Sequence, residues 1–574
     1  MFWVEEVILF GLWQVCLWQI CQWQVCQWQV CQWHVGQWDG RRRPSALVQK
    51  ARVGRGFGVF ASKAASAALS LLALSACAVG PDFVVPPAPP ASGYTPEGRP
   101  AATTSVDIAG GAAQKFDSGR DIPGEWWKVF HSKELDGLIA EALQANPSLQ
   151  AAQAALWQAK ENLYAAEGKL MPQLDANASA ERQQFSPSEF GGVGPPFIFN
   201  LFQSTVNVSY APDVFGGQRR LIEAQAAQSD YQRFQLEATY LTLTSNVVTA
   251  AVQEASLRGQ IDATRDIIKS EIDQLEVVRH QFEGGAASRT DVLTQQSEVA
   301  TAQATLPPLQ KQLEQQRHVL LALIGRFPND ARNDRLTLAS LRLPAGLPLS
   351  LPSQLVEQRP DVRAAQAQLH QASAQIGVAI ANRLPQFTLT GSYGSAAVTT
   401  AALFTPNAII WSAVASGTQP IFHGFTLLHQ QRAAEAAYEQ AGAQYRSTVL
   451  TAFQNVADAL RALQLDAATL KAQRAALRAA SDTLDLARGQ YKLGAITYIT
   501  LLNAQHSYQQ ARLAVVQAQA ARYADTAALF QALGGGWWNR ADIAPNPYTP
   551  DPDPAAVAAP NTVPGTPAAK GIGP

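Results

Sequence analysis

The stretch PSLQAAQAALWQA at residues 147–159 returns as PDVRAAQAQLHQA at residues 360–372, a shift of 213 positions. Further along, QFEGGA at 281–286 matches QYKLGA at 490–495 at a shift of 209. The order of the matches is kept through both copies, which chance does not explain. The sequence therefore indicates an internal duplication with small insertions.

Each copy predicts a helix followed by strands. The helices are expected over 132–169 and 351–383, and each ends at a Pro-Gln step. Apolar and polar residues then alternate in STVNVSY (204–210) and QFTLTGSYGS (386–395), which is the period of a β-strand. The expected partner strands are 173–185 in the first copy and 409–419 in the second. The expected loops that join the strands of each copy are 186–202 and 396–407. A half-buried sheet of a soluble protein gives the same alternation, so the pattern does not by itself identify membrane strands.

Long helices come next in each copy. The Pro-free stretches 213–283 and 425–493 predict helices of about 65 residues, on the order of 100 Å long. Shorter return helices are expected over 288–324 and 495–533, the first broken at Pro307-Pro308. Their Ala- and Gln-rich composition fits a tightly packed helical wall and a plain antiparallel coiled coil about equally well.

The composition excludes several classes of protein. Of 574 residues, 44 are Lys or Arg and 45 are Asp or Glu, so the basic surplus of a nucleic-acid binder is missing. The mean hydropathy of −0.07 is too low for a bundle of transmembrane helices but leaves membrane strands open. The eight His residues form no metal-binding motif, and the sequence has no nucleophile or phosphate-binding motif in a suitable context. We therefore expect no enzyme activity, no metal and no cofactor.

The first residues have a composition of their own. Cys16, Cys21, Cys26 and Cys31 lie in a five-residue tandem repeat whose spacing matches no common zinc or iron–sulfur site. Residues 1–47 are therefore interpreted as a doubtful, repeat-encoded extension, with a metal site as the less favoured alternative.

Residues 48–76 read as a secretory signal, because basic residues precede an uncharged run that ends in small residues. The run closes on Leu74-Ser75-Ala76-Cys77, which resembles a bacterial lipobox. We expect Cys77 to be acylated, palmitate included, and to anchor the chain in the outer membrane. An ordinary signal peptide followed by a stray Cys is the alternative. Residues 77–123 are interpreted as a loose lipidated tether and 538–574 as a disordered Pro/Ala-rich tail.

The strand count bears on assembly. Each copy offers two strands, so one chain offers four, and four strands cannot close a membrane barrel. Three chains would supply twelve, an even number within the range of outer-membrane barrels. If the strands span a membrane, the chain must therefore oligomerise, although the strand count does not fix the number at three.

A family resemblance rests on these motifs together. The lipobox followed by AVGPDF (78–83), the segment WWKVF (126–130), the two copies and the hairpin turns resemble the outer membrane factor family of tripartite efflux pumps, of the TolC/OprM type, and its NodT-like lipoproteins. The resemblance implies a mainly α protein with a membrane β-barrel. A trimeric 12-stranded barrel would continue into a 12-helix periplasmic α-barrel with a small equatorial α/β region. The repeats would span 124–324 and 351–537, linked by 325–350.

The resemblance also implies site residues at the turns of the two long hairpins. The turns would dock a periplasmic adaptor protein through Gly284, Gly285, Ala286, Gly494 and Ala495. The periplasmic gate would consist of Tyr491, Asp291, Ile499, Thr500 and Asn503. Thr500 and Asn503 are neutral where family members often carry an Asp ring, which favours a steric and hydrogen-bonded gate over an ionic one.

The implied function is that of a passive outer-membrane duct in an RND-type tripartite system, exporting drugs or other small molecules. Its partners would be two further copies of the chain, a periplasmic adaptor and an inner-membrane transporter, with no nucleic acid. Two alternatives stay open: a channel for type I protein secretion, and a structural envelope lipoprotein without a pore.

Overall fold

The computed structural model describes four stretches of the chain, which are residues 78–90, 93–96, 101–330 and 336–540. The sequence-based expectations for Cys77, the extension 1–47, the signal 48–76 and residues 541–574 of the tail lie outside the described residues.

The same order of elements occurs twice: two helices, two strands and two long helices. The first set comprises α1 (Lys133–Ala145), α2 (Pro147–Gly168), β2 (Gln173–Phe185), β3 (Phe197–Tyr210), α3 (Gly217–Glu283) and α4 (Arg289–Leu323). The second comprises α5 (Pro352–Gln358), α6 (Pro360–Ala381), β5 (Gln386–Ala397), β6 (Ile409–Thr418), α7 (Thr426–Lys492) and α8 (Tyr498–Ala532). Two short strands, β1 (Lys115–Ser118) and β4 (Gly346–Leu349), precede the first set and lie between the sets, respectively.

The first helix of each copy is divided, contrary to the single helices expected over 132–169 and 351–383. The division falls before Pro147 and before Pro360. Proline disfavours the helical conformation of the residue before it, and here Asn146 instead starts a new helix. The Asn146 side chain accepts hydrogen bonds from the backbone N–H groups of Ser148 and Leu149 at 2.9 and 3.2 Å, which satisfies two free donors of α2.

The long helices match in length between the copies. α3 and α7 contain 67 residues each, and α4 and α8 contain 35 each. At 1.5 Å per residue, the longer pair spans on the order of 100 Å. Within the described ranges, no helix is both long and apolar enough to cross a membrane.

The expected break at Pro307-Pro308 is wrong, because α4 runs through both prolines without interruption. Each proline removes a backbone donor from the helix, which costs a hydrogen bond. The flanking Leu306 and Leu309 pack against an apolar cluster of Leu257, Ile261 and Leu313. Packing against α3 on both sides of the prolines therefore holds the helix across a local defect that sequence rules treat as a stop.

The main sheet has the strand order β2-β3-β5-β6, and every pairing is antiparallel. The pairing of β3 with β5 joins the two copies and leaves β2 and β6 at the edges. The four expected strands are confirmed, but the loop expected at 186–202 is shorter, since β3 begins at Phe197. Phe197 packs across the hairpin on Phe185, which extends the pairing to the strand ends.

The register divides this sheet into two unlike faces, both open to solvent. Every residue of β6 and all of β2 except Phe185 are exposed. One face mainly carries apolar side chains, namely Leu174, Phe202, Val206, Val208, Leu389, Tyr393, Ile409 and Trp411. The other mainly carries polar ones, namely Asp175, Asn177, Ser179, Gln203, Asn207, Thr388, Thr390, Ser392, Ser412 and Ser416.

The largest core lies away from this sheet, around the parallel pair β1–β4. Trp126 stacks on Phe530 with ring centroids 5.5 Å apart, and Phe130 packs against Tyr523. The Tyr523 hydroxyl donates to the Leu341 carbonyl at 2.9 Å. Segments near 125–145 and 336–355 and the end of α8 therefore meet in one mixed α/β body, called the equatorial core below.

Within 77–123, which the sequence predicts as a loose tether, the stretch from Thr103 to Gln114 is held against α8. Arg522 of α8 is fully buried, and its guanidinium donates to the carbonyls of Gly110 and Ala112 at 3.0 and 3.2 Å. It also donates to the side chains of Thr103 and Gln114. A buried charge needs such hydrogen bonds, so Arg522 fixes a segment that composition alone marks as flexible.

The equatorial core provides a test of this packing. Replacing Phe130, which is 0% exposed, by Ala should lower the free energy of unfolding by about 3–5 kcal/mol, because a cavity replaces a buried ring. Phe327 is 76% exposed, and Phe327→Ala should change it by less than about 0.5 kcal/mol. Guanidinium unfolding followed by circular dichroism at the helix band measures both, and equal losses would contradict the assigned core.

Candidate functional site

The turns of the two long hairpins are built alike. Gly285 and Gly494 adopt φ values of +74° and +73°, where a side chain would be strained. In each turn the residue after this glycine donates its N–H back into the helix, Ala286 to the Gln281 carbonyl at 2.7 Å and Ala495 to the Gln490 carbonyl at 2.9 Å. All five residues expected to dock an adaptor are exposed on these turns.

An apolar cluster ties the second hairpin to the first next to these turns. Val278 of α3 packs with residues of α7 and α8, among them Leu484 and Leu501, all nearly or fully buried. The rings of Tyr491 and Tyr498 lie 5.7 Å apart at its margin. The two turns therefore form one packed tip rather than two independent loops.

The expected gate residues fall into two groups at this tip. Tyr491 is half-buried beside Asp291, and burial together with that carboxylate raises the pKa of the Tyr491 hydroxyl. The Asp291 carboxylate accepts hydrogen bonds from the N–H and the hydroxyl of Ser288 at 2.9 and 2.8 Å, and so closes a capping box on α4. Among the described residues, no hydrogen bond joins Tyr491 to Asp291.

The second group lies on an exposed face of α8. Ile499 is 66% exposed, and Thr500 and Asn503 are exposed beside it. The Thr500 hydroxyl is hydrogen-bonded to the Thr497 hydroxyl at 3.1 Å. These three side chains are thus available to a surface beyond this chain, whereas Tyr491 and Asp291 are engaged within it.

Sequence reasoning missed a buried polar network next to the apolar cluster. Glu271 of α3 accepts from the Gln295 amide of α4 and from the Gln509 amide of α8, both at 2.6 Å. The Tyr498 hydroxyl donates to the side-chain amide oxygen of Gln295. Glu271 and Gln295 are 2% and 0% exposed. The network links three helices from both hairpins by hydrogen bonds to one carboxylate.

Burial favours the protonated forms of Glu271 and Tyr498 in this network. Burial raises the pKa of the Glu271 carboxyl. Burial, with the nearby Glu271 carboxylate as a further cause, raises the pKa of the Tyr498 hydroxyl far above neutral pH. Tyr498 therefore remains a hydrogen-bond donor at every physiological pH. In the sequence these residues look like any other Gln, Glu or Tyr of a Gln-rich helix, so no signal distinguishes them.

A cavity of about 140 Å³ adjoins the network between α3, α7 and α8. Gln505 is 2% exposed and lines it, and neither atom of its amide has a hydrogen-bond partner among the described residues. Arg488 crosses beside the cavity from α7 to the Ser270 hydroxyl at 2.7 Å. A polar space of this size accommodates a few water molecules, which would satisfy Gln505. The seam between the hairpins is therefore more polar than the equatorial core.

No group of three or more His, Cys, Asp or Glu residues in the described ranges has the arrangement of a metal site. The remaining geometry is that of two very long hairpins joined at a packed tip, with a two-faced sheet at the other end of the same helices.

Comparison with known proteins agrees with this architecture. The sequence profile of the outer membrane efflux protein family matches residues 138–326 and again residues 351–535. The chain belongs to the outer membrane efflux protein family. The two matches fall on the two sets of elements, and family members are transport ducts rather than enzymes.

Individual members resemble the chain along most of its length. It is 30% identical over 461 residues to the pyoverdine export outer membrane protein OpmQ of Pseudomonas putida, covering 79% of this chain and 94% of the relative. It is 30% identical to the toluene efflux pump outer membrane protein TtgF of the same species, covering 83% and 97%. The open state of the Neisseria gonorrhoeae MtrE outer membrane channel matches with a TM-score of 0.67 and 28% identity, covering 80% and 99%.

The polar network of this outer membrane efflux protein gives a direct test. Tyr498→Phe should leave the fully buried Gln295 oxygen without its donor, at a cost of about 1–3 kcal/mol. Amide hydrogen exchange in α4 and α8 near these residues should accelerate roughly ten-fold or more. The matched control is Tyr508→Phe, since the Tyr508 hydroxyl makes no hydrogen bond within the described part of the chain. Equal exchange in both variants would rule out a stabilising role for the network.

Proposed function

We propose that three copies of this chain form the outer membrane duct of an RND-type tripartite efflux system, which passively exports drugs or other small molecules. The duct would consist of a 12-stranded β-barrel and a 12-helix periplasmic α-barrel, with the equatorial body around its middle. The observation that carries the proposal is the open four-stranded sheet, with one apolar and one polar face.

The two faces match the two sides of a membrane barrel. Lipid requires an apolar outer surface, and a water-filled lumen requires a polar inner one. A soluble sheet of this kind would bury its apolar face, yet Trp411 and Tyr393 on that face are 74% and 63% exposed. Exposure of both faces therefore favours a barrel wall over a half-buried soluble sheet.

The strand edges argue for several copies. Among the described residues, β2 pairs only with β3, and β6 pairs only with β5. Unpaired edges are costly in lipid, and a β6–β2 contact between neighbouring copies would remove them all in a closed ring. Three copies give twelve strands, which is the number that the resemblance to this family implies.

The helices carry a similar indication. Several large apolar side chains on α2 and α7 are more than half exposed, namely Trp157, Leu450, Leu465 and Leu486. Helices of neighbouring copies would cover them in a trimer. The matched lengths of α3 with α7 and of α4 with α8 suit a wall of equivalent hairpins, which we attribute to duplication of the units 124–324 and 351–537 with 325–350 as a linker.

The ends of the chain complete the proposal. Residues 48–76 would direct export, Cys77 would be acylated in the outer membrane, and 77–123 would connect it to the body. Residues 1–47 would be absent from the mature protein, and 538–574 would form a C-terminal tail, whose described residues Trp538 and Arg540 are hydrogen-bonded to the body.

The tip would be both gate and docking point. Gly284, Gly285, Ala286, Gly494 and Ala495 would contact a periplasmic adaptor, which in turn would join an inner-membrane transporter. Ile499, Thr500 and Asn503 would narrow the entrance by size and hydrogen bonding, while Tyr491 and Asp291 would hold the two hairpins in the closed arrangement. OpmQ is named for the export of pyoverdine and TtgF for the efflux of toluene, which favours small molecules over proteins.

A channel measurement tests the duct and its gate together. The purified protein should be a trimer by native mass spectrometry, with a low conductance in planar bilayers. Asp291→Ala removes the capping box at a cost of about 1 kcal/mol, so the time-averaged conductance should rise roughly five-fold. Glu283→Ala removes an exposed carboxylate that lies 3.5 Å from the His280 ring, and as the matched control it should leave the conductance unchanged. A monomer without conductance would instead indicate a structural lipoprotein.

A deletion strain tests the substrate class. Loss of the gene should increase susceptibility to small toxic compounds at least several-fold while the set of secreted proteins stays the same, and the wild-type gene should restore resistance. Unchanged susceptibility with loss of a secreted protein would identify a type I secretion channel.

A further inference from the structure

We propose that Arg220 and the end of α6 form a dock for residues 78–83, which fixes the acylated N terminus at the base of the four-stranded sheet. The inference rests on the proposed acylation of Cys77 and on the proposed membrane position of the sheet. Within the segment AVGPDF, each residue that contacts the body has a separate physical role.

Arg220 is the centre of the dock. Its side chain is only 6% exposed. Its Nε donates to the Val79 carbonyl at 3.1 Å, and its Nη2 donates to the Gly80 carbonyl at 3.3 Å and to the Asp82 carboxylate at 2.7 Å. These three hydrogen bonds from the planar Arg220 guanidinium hold the segment in a single orientation.

The segment passes α6 at backbone contact. Gly80 has φ +97°, and a Cβ atom there would lie 2.4 Å from the Cα of Gly377 in α6. A Cβ on Gly377 would in turn lie 2.9 Å from the Val79 carbonyl oxygen. Both positions therefore require glycine, because no other residue leaves room for the two chains to cross.

An aromatic contact closes the dock on its other side. The Phe83 ring stacks on the His370 ring of α6 at 4.4 Å with an interplanar angle of 14°. His370 Nε2 lies 2.9 Å from one oxygen of Glu223, whose other oxygen accepts from Arg220 Nη1 at 2.7 Å. Glu223 thus connects the two side chains that hold the segment, and the dock is one hydrogen-bonded unit.

The position of the dock gives it a function. The Val79 N–H donates to the Phe215 carbonyl at 3.1 Å, and Phe215 lies between the end of β3 and the start of α3. Gly377 lies in the last turns of α6, shortly before β5. Ala78 contacts Gly216 at the same level. The chain therefore enters the body where the strands begin, so acyl groups on the preceding residue would insert beside the apolar face of the sheet.

The dock turns a flexible linker into a fixed connection. If the segment were not docked, the acyl groups would move in the membrane independently of the barrel. Held by Arg220, the acyl chains and the strands share one depth in the bilayer. We therefore assign Arg220 a positioning role, distinct from the gate and the docking tips.

Spin labelling in lipid nanodiscs tests the dock in the full mature protein. The label is attached at Val84→Cys, an exposed position just after Phe83. In the otherwise unchanged chain we expect an immobilised spectrum and one depth, read from the accessibility to oxygen and to a nickel chelate. Arg220→Ala should make the spectrum mobile and the depth broad. Amide exchange at Val79, whose N–H donates to the Phe215 carbonyl, should rise at least ten-fold.

Two controls keep the test decisive. Arg219→Ala alters the adjacent arginine, whose side chain is hydrogen-bonded to Asp213, and should preserve the immobilised spectrum. Arg220→Lys keeps the charge without the planar group and should give an intermediate spectrum. Native mass spectrometry confirms that each variant is assembled as the parent protein is.

The outcomes separate this proposal from the proposed function. An immobilised label in Arg220→Ala, or a mobile label in the parent protein, would overturn the dock even if conductance is normal. An intact mass without acyl groups would overturn its anchoring role. Loss of conductance in the parent protein bears on the duct and is measured separately.

Discussion

Every backbone N–H and C=O group of a strand needs a partner, and the sheet of this protein leaves two strand edges open within the described residues. It also buries neither face, so a single copy has no hydrophobic core at this end. Neighbouring copies in a membrane would satisfy both requirements at once, as the proposed trimer does. The matched hairpin lengths suit the same proposal, since a closed ring needs equivalent walls around its axis.

The long helices are held by different contacts at the equatorial core and at the tip. At the equator, large aromatic side chains such as Trp126 and Phe530 stack in a closed core. At the tip, the hairpins meet through a small apolar cluster, a carboxylate network around Glu271 and a polar cavity beside Gln505. Polar contacts that water can replace are easier to separate than a packed aromatic core. The contacts at the tip are therefore easier to separate than the equatorial core, as the proposed gate would require.

Two buried arginines hold the N-terminal segment along the body. Arg220 binds the carbonyls of Val79 and Gly80 near the base of the sheet, and Arg522 binds those of Gly110 and Ala112 at the equator. In both cases a guanidinium donates to backbone carbonyls of a segment without regular structure there. Because these carbonyls have no strand or helix partner, the two side chains supply the hydrogen bonds that fix the path of the chain.

The sequence by itself determined the repeat, the four strands, the long helices and the position of the tips, because periodicity and proline-free length are local properties of the chain. Only the tertiary structure decided that α4 continues through Pro307-Pro308, that the segment from Thr103 to Gln114 is held to the body, and that Glu271 and Gln295 meet Tyr498. Each of these depends on a neighbour far away in the sequence. A Gln on a Gln-rich helix and a Gly in a Pro-rich linker acquire their roles from the surface that packs against them.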